Sequence, residues 1–149
     1  MTAELRSAVV RSAPLRELAP ETLYAILRLR QDVFVVEQEA AYPDIDGREL
    51  EPDAVLMWVE EAGTVVATVR VLHEPGRVVR IGRVATAAAA RGAGHAATLM
   101  RAALDATTGP VVLDAQAQLE GWYGRFGFRV SGEPFAEDGI PHLPMRLER

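Results

Sequence analysis

The sequence predicts a single α/β domain over residues 1–149, a mixed and mostly antiparallel sheet flanked by helices. Three observations lead there. First, three β-branched apolar runs, AVLMWVEE (54–61), TVVATVRVLH (64–73) and RVVRIGRVAT (77–86), follow one another across very short turns, which forces antiparallel pairing. Second, a glycine-led helix, AATLMRAALDA (96–106), separates the last of these runs from VVLDAQ (111–116), and a helical crossover between two strands sets them parallel. Third, 149 residues suffice for one core that withdraws roughly two thirds of the unfolded chain's surface from water.

The elements follow in order. Residues 3–11, AELRSAVVR, are a strand candidate. APETLYAILRLRQDVFVVEQ (19–38) puts Leu23, Ile26, Leu27, Val33 and Phe34 on one helical face, with Pro20 and Glu21 suited to the first turn. The end of this helix is open, because Val33, Val35 and Val36 are β-branched and the acidic loop EQEAAYPDIDGRELEPD (37–53) follows. Ala62-Gly63 and Glu74-Pro75-Gly76 mark turns between the three strands. The helix over 96–106 turns Leu99, Met100, Ala103 and Leu104 to one side and stops at Thr108-Gly109-Pro110. A short helix around LEGWYGRF (119–126) and two closing strands, FRVSGEPF (128–135) and HLPMRLE (142–148), complete the chain, with Asp138-Gly139 read as a turn that also suits the border of a pocket.

Composition removes several classes of function. Without cysteine there is no disulfide, thiolate metal site or cysteine nucleophile, and no metal is expected. All 16 basic residues are arginine, so lysine Schiff-base chemistry is excluded as well. A net charge of -5 argues against a nucleic-acid partner and suits a cationic or amine one. No apolar run reaches membrane-spanning length and the first residues lack a signal peptide's pattern, so a cytoplasmic location with no membrane association is expected. The segment from Glu37 to Asp53 carries seven acids against Arg48 alone, either a solvated face or an acidic lip that attracts a cationic amine. Its DIDG does not complete a calcium loop.

The stretch ARGAGHAATLM (90–100) has the form of a phosphate cradle, in which glycines admit an anion to the free amides and positive dipole end of a helix. Taken as Gly92-x-Gly94-x-x-Ala97, with Asp114 twenty residues past Gly94, it matches a dinucleotide fingerprint, and a small NAD-binding protein is one alternative. Topology opposes that reading, since antiparallel hairpins precede the loop and only 35 residues follow Asp114. Taken as Arg91-x-x-Gly94-x-Ala96, the same residues read as a pyrophosphate loop of another kind.

IGRVATAAAARGAGHAATLM followed by VVLDAQAQLEGWYGRFGF resembles the signature of the GCN5-related N-acetyltransferases (GNAT), and RQDVFVVEQ, YPDIDG, IGRV, AQAQ, WYGRFGF and EDGIPH resemble its ElaA-like branch, from about Leu23 to Met145. The resemblance implies a sheet splayed at its centre, with the pantetheine arm of acetyl-CoA lying along Val84, Ala85 and Thr86. It implies that Arg91 and the amides of Gly92, Ala93, Gly94, His95 and Ala96 hold the pyrophosphate; the His95 side chain itself reads as a loop residue turned to solvent rather than as a catalyst. Gln116 matches a position that contacts the cosubstrate, or is a surface amide. Tyr123 matches a general acid that protonates the departing thiolate, or packs beside Trp122 and Phe126.

The implied reaction is direct attack of a primary amine, on a small molecule or peptide, in a ternary complex; a non-catalytic acyl-CoA sensor is the other alternative, and a homodimer is compatible. At pH 7 an α-amine of pKa about 7.8 is about 15 per cent free, whereas an amine near 10.4 is below about 0.1 per cent free, so a strongly basic substrate needs a base. Glu37, Asp46, Glu120 and His142 are the candidates. Gln118 stands where the ElaA-like pattern often has histidine, and an amide cannot serve. Arg83 alternates with Val79 and Ile81, which suits either a substrate carboxylate or an acid of the framework.

Overall fold

The structure, a computed structural model, describes residues 8–149. Along the chain its elements are β1 (Ala8–Ala13), α1 (Pro20–Gln31), β2 (Val55–Glu61), β3 (Thr64–Glu74), β4 (Val78–Thr86), α2 (His95–Asp105), β5 (Val111–Gln116), α3 (Glu120–Gly124), β6 (Arg129–Val130), β7 (Phe135–Glu137) and β8 (Ile140–Leu147). The strands form one sheet in the order β1-β2-β3-β4-β5-β8-β6, with β7 attached to β8. Every pairing is antiparallel except β4 with β5, as the short turns and the single helical crossover require. One parallel pair cannot supply a dinucleotide fold.

Local chemistry accounts for most boundaries. Ala62 and Gly63 both take positive φ, the twist that joins two strands through two residues. Gly109 is irreplaceable in place, since a Cβ there would lie 2.7 Å from the Arg77 carbonyl oxygen. The early strand runs to Ala13, and the part of that expectation before Ala8 lies outside the described residues. The long helix does not run unbroken to Gln38. After Gln31 it widens into a π-helical turn, Asp32–Glu37, where the β-branched valines begin. FRVSGEPF is not one strand but two short edge pieces, β6 and β7, and Asp138-Gly139 is the turn of the β7–β8 hairpin.

Two irregularities shape the centre. β4 and β5 pair only at Val79↔Val111 and Arg80↔Val112, while β5 stays paired with β8 through to Gln116↔His142. Past Arg80 the two parallel strands therefore diverge, leaving one edge of each unpaired. The second irregularity is a bulge in β4: Arg70 faces Gly82 and Thr68 faces Ala85, so Arg83 and Val84 together oppose Val69. Arg83 takes a φ of 54°, left-handed for a residue with a side chain, at a cost of about 1–3 kcal/mol.

The bulge reverses the strand's alternation. Val79 and Ile81 pack with Leu99, Met100 and Ala103 of α2, and Val84 joins that cluster, whereas Ala85 packs with Leu29 and Val33 of the α1 side. Arg83 accordingly does not follow Val79 and Ile81, as simple alternation suggested, but meets the loop that follows α1. Among the described residues no helix is long and apolar enough to cross a membrane.

Candidate active site

Divergence of β4 from β5 opens a cavity of about 750 Å³, walled by Ile81–Thr86 on one side, by Leu113, Asp114 and Gln116 on the other, and roofed by Phe34, Glu37 and Gln38 of the π-helical turn. That size suits a small-molecule arm and its acceptor together. The bulge equips one wall. Val79 donates its N–H to Pro110 on the β5 side, while Ala87, beyond the bulge, donates to Val66 on the β3 side. The phase shift between them falls at Arg83 and Val84. A left-handed residue keeps its flanking peptides aligned rather than opposed, so both of these amides face the cleft.

At the mouth, a smaller opening of about 300 Å³ is lined by Thr86, Arg91, Gly92, Gly94, His95, Ala96 and Trp122. Gly92 (φ 89°) and Gly94 (φ 78°) are needed for conformation rather than space, because a Cβ on either would touch nothing. Gly94 caps α2 without a side chain, leaving the amides of the first turn without a side-chain acceptor. Arg91 grips Glu37 through two hydrogen bonds of 2.8 and 2.6 Å and also donates to the Thr86 carbonyl. Ala93 is exposed and lines neither opening. The His95 side chain is not turned to solvent: it is 7% exposed and its Nε2 lies 2.9 Å from Glu61 Oε2. As the first helical residue its side chain lies back against the sheet, where the end of β2 meets it.

Tyr123 lines the cavity and is 7% exposed, held edge-on by Trp122 and Phe128. Burial pushes its hydroxyl up to about 12, so it is protonated at any physiological pH. It is thus both packed among aromatic rings and part of the cavity wall. Gln116 also lines the cavity rather than the outer surface. It donates to Gln38 at 3.1 Å and accepts from Gln118 at 2.9 Å, an amide chain joining β5 to the π-helical turn.

The four base candidates separate cleanly. Glu37 is held below the usual carboxylate range by its hydrogen bonds from Arg91. Asp46 feels an upward push from burial, but the Arg70 hydrogen bonds, the Arg48 amide and the nearby Arg83 charge bring it below its usual value. Both are poor proton acceptors at neutral pH. Glu120, exposed on the first turn of α3, lines neither opening; Trp122 and Tyr123 are the residues of that short helix that do. His142 lines the cavity, stacked on Phe135, with Nδ1 2.8 Å from the Ile140 carbonyl oxygen. A carbonyl only accepts, so Nδ1 carries the hydrogen and the neutral ring keeps its lone pair on Nε2.

The acidic segment is a solvated face only in part: Glu39 and Asp53 are exposed and outside the ion pairs, while other acids of the segment bind framework arginines. Asp44 and Glu49 are buried, and Arg30, itself fully buried, binds Asp44 at 2.9 Å, the Asp44 carbonyl at 2.8 Å and Glu49 at 2.6 Å. Arg70 binds Asp46 at 2.7 Å and Glu49 at 3.0 Å. Arg83 reaches Asp44 Oδ1 at 2.9 Å and Asp46 at 3.1 Å and lies over the Tyr42 ring at 4.9 Å, so its guanidinium is engaged by framework acids. Despite burial, the Arg30 charge and hydrogen bond hold Glu49 below its usual value. Arg48 adds Glu51 and Glu74, and Arg80 links Glu74 to Asp114 across the two diverging strands.

Sequence reasoning missed Arg30, Arg70, Asp44 and Glu49. A signal existed for the arginines: Arg30 falls four residues after Ile26 on the buried face of α1, and Arg70 shares a strand face with Thr68 and Leu72. Cations at positions that helical and strand periods assign to the core demand buried acids nearby.

A family model described as an acetyltransferase (GNAT) domain matches residues 23–149. A UPF0039 protein of Mycobacterium tuberculosis is 44% identical over 136 residues, 87% of this chain and 86% of that protein. Protein ElaA of Escherichia coli is 42% identical over 141 residues, covering 89% and 91%, and its crystal structure superposes with a TM-score of 0.87 over 95% of this chain and 100% of that one, at 36% identity. The crystal structure of an acyl-CoA N-acyltransferase from Pseudomonas aeruginosa gives 0.88 at 39% identity, covering 95% and 99%.

Proposed function

The chain belongs to the GNAT family, as an acyl-CoA-dependent N-acetyltransferase, and from that premise we propose that it moves an acetyl group from acetyl-CoA to a primary amine of a small molecule or peptide, in the cytoplasm. The observation that carries this reading is the parting of β4 from β5 beside a glycine loop, which offers an extended chain two unpaired strand edges and offers a diphosphate the first turn of α2. The donor and acceptor meet in one cavity, which supports direct transfer. The amine nitrogen attacks the thioester carbonyl carbon, the carbon–nitrogen bond forms and the carbon–sulfur bond breaks.

Each residue has a defined part. The amides of Arg83 and Val84 polarise the carbonyl oxygen. His142 Nε2 takes the amine's proton, directly or through water, and Tyr123 gives its proton to the departing sulfur. A phenol at about 12 facing a thiol near 8.5 donates uphill by about 5 kcal/mol. Withdrawing the thiolate from water into the same apolar corner raises its own pKa and narrows that gap. Arg91, Gly92, Gly94 and Ala96 bind the diphosphate, with Arg91 leaving Glu37 to do so, and Gln116 holds the β5 wall.

The test is a screen of amines and peptides with acetyl-CoA, following thiol release. Turnover of at least one amine is expected, with kcat for Tyr123→Phe lower by about a hundredfold and KM little changed. Calorimetric binding of acetyl-CoA without turnover across the whole panel would instead make the protein a sensor. Unchanged thiol release by Tyr123→Phe at saturating substrate would remove Tyr123 from the reaction.

A further inference from the structure

Resting on the acyltransfer reading, we infer that Asp44 and Arg83 form a positioning clamp that holds the β4 bulge open, so that the amides of Arg83 and Val84 are both presented to the reacting carbonyl. The conformation itself needs such a device. Arg83 sits at φ 54°, and the neighbouring Gly82 does not take the left-handed state in its place, so a residue with a side chain bears the strain. What holds it is non-local. Its guanidinium spans the Asp44 carboxylate and carbonyl, reaches Asp46 and lies over Tyr42.

Asp44 is in turn immobilised. Arg30 donates to its Oδ2 and to its carbonyl oxygen, leaving Oδ1 buried at ion-pair distance from Arg83 but without an aligned hydrogen bond. The clamp thus runs from α1, through one buried carboxylate, to the one residue of β4 that reverses the strand's phase. A left-handed Arg83 directs two successive amides into the cleft, whereas an extended one directs them alternately, and only the first arrangement presents a pair of donors to one oxygen.

This assigns Arg83 a role separate from binding any substrate carboxylate, and glycine distinguishes the two, because it adopts positive φ unaided. With acetyl-CoA and an accepted amine, Arg83→Ala is expected to lower kcat at least tenfold with both KM values within about twofold. Arg83→Gly is expected to recover most of that loss, and Asp44→Asn, costly alone, is expected to cost less than about twofold when added to Arg83→Gly. Independently of turnover, the backbone amide signals of Val84 and Ala85 in the unliganded protein should shift in Arg83→Ala and Asp44→Asn and stay close to wild type in Arg83→Gly.

Equal losses in Arg83→Ala and Arg83→Gly, or a rise confined to the amine's KM, would overturn the clamp and make the guanidinium itself the requirement. Unmoved Val84 and Ala85 signals in Arg83→Ala would overturn it too. If no amine supports turnover by the wild type, the acyltransfer reading fails while the amide signals still decide the clamp. Arg83 is partly exposed, so its variants should fold even if Asp44→Asn does not.

Discussion

Arg91 and Arg30 each bind carboxylate oxygen at 2.6 Å, yet they belong to regions of opposite character. Arg91 and Glu37 are both more than 40% exposed at the cavity mouth, so water and salt screen their attraction and either partner can be exchanged. Arg30, Asp44 and Glu49 are withdrawn from water between α1 and the sheet, where an unpaired charge is intolerable. The same chemical contact is therefore a replaceable one at the loop and a fixed one in the lattice. The loop suits a ligand that must come and go, and the lattice suits backbone that must hold its shape.

The hardest test of that contrast is Arg30→Ala, which removes the buried cation shared by two buried carboxylates and leaves Asp44 to Arg83 and Glu49 to Arg70. A loss of about 3–5 kcal/mol is expected in urea unfolding. A transition near that of the wild type would show that the lattice relaxes or hydrates as readily as the surface.

Acid should find the lattice next. Asp46 and Glu49 have folded pKa values below their usual 3.8 and 4.5, so the stability they contribute is present above about pH 4.5 and is lost as pH falls through the lowered values. Glu49→Gln, less stable at neutral pH, should therefore lose less further stability between about pH 5 and 3 than the wild type does. Parallel pH curves for the two proteins would remove Glu49 from the acid response.

The loop should answer in binding rather than in stability. Arg91→Ala is expected to weaken coenzyme A binding about tenfold by calorimetry while its unfolding transition stays near the wild type's. The smallest effect belongs to Glu37→Gln, which frees Arg91 and should tighten coenzyme A binding about two- to fivefold, less so at high salt. Weaker binding in Glu37→Gln would mean that Glu37 aims Arg91 instead of competing for it.

Local chemistry made much of the molecule legible. The strand runs, their turns, α2 and the parallel pair of β4 and β5 followed from period and punctuation, and Tyr123 and Gln116, singled out by the resemblance, both line the cavity. What escaped was non-local. His95 is buried against Glu61, a residue 34 positions away, and Arg83 left its apparent alternation because of a bulge whose local signal, Gly82 inside the strand run, marks the place but not which residue turns left-handed. Four of the seven acids of 37–53, Glu37, Asp44, Asp46 and Glu49, looked like solvent-facing charge because their partners, Arg30, Arg70, Arg83 and Arg91, lie on α1, on strands β3 and β4 and in the loop after β4.

By itself, then, the sequence determined the order and kind of the elements, the glycine loop at the head of α2 and the family, because these rest on spacing within a few residues and on motifs read in line. Only the tertiary structure decided which acids are framework, which candidate base is left with a free lone pair, and where two amides of β4 turn together into the cleft. Those outcomes depend on which charges burial brings within reach of one another. In water such pairs are worth little and leave no periodic trace, and inside the fold they decide the geometry of the site.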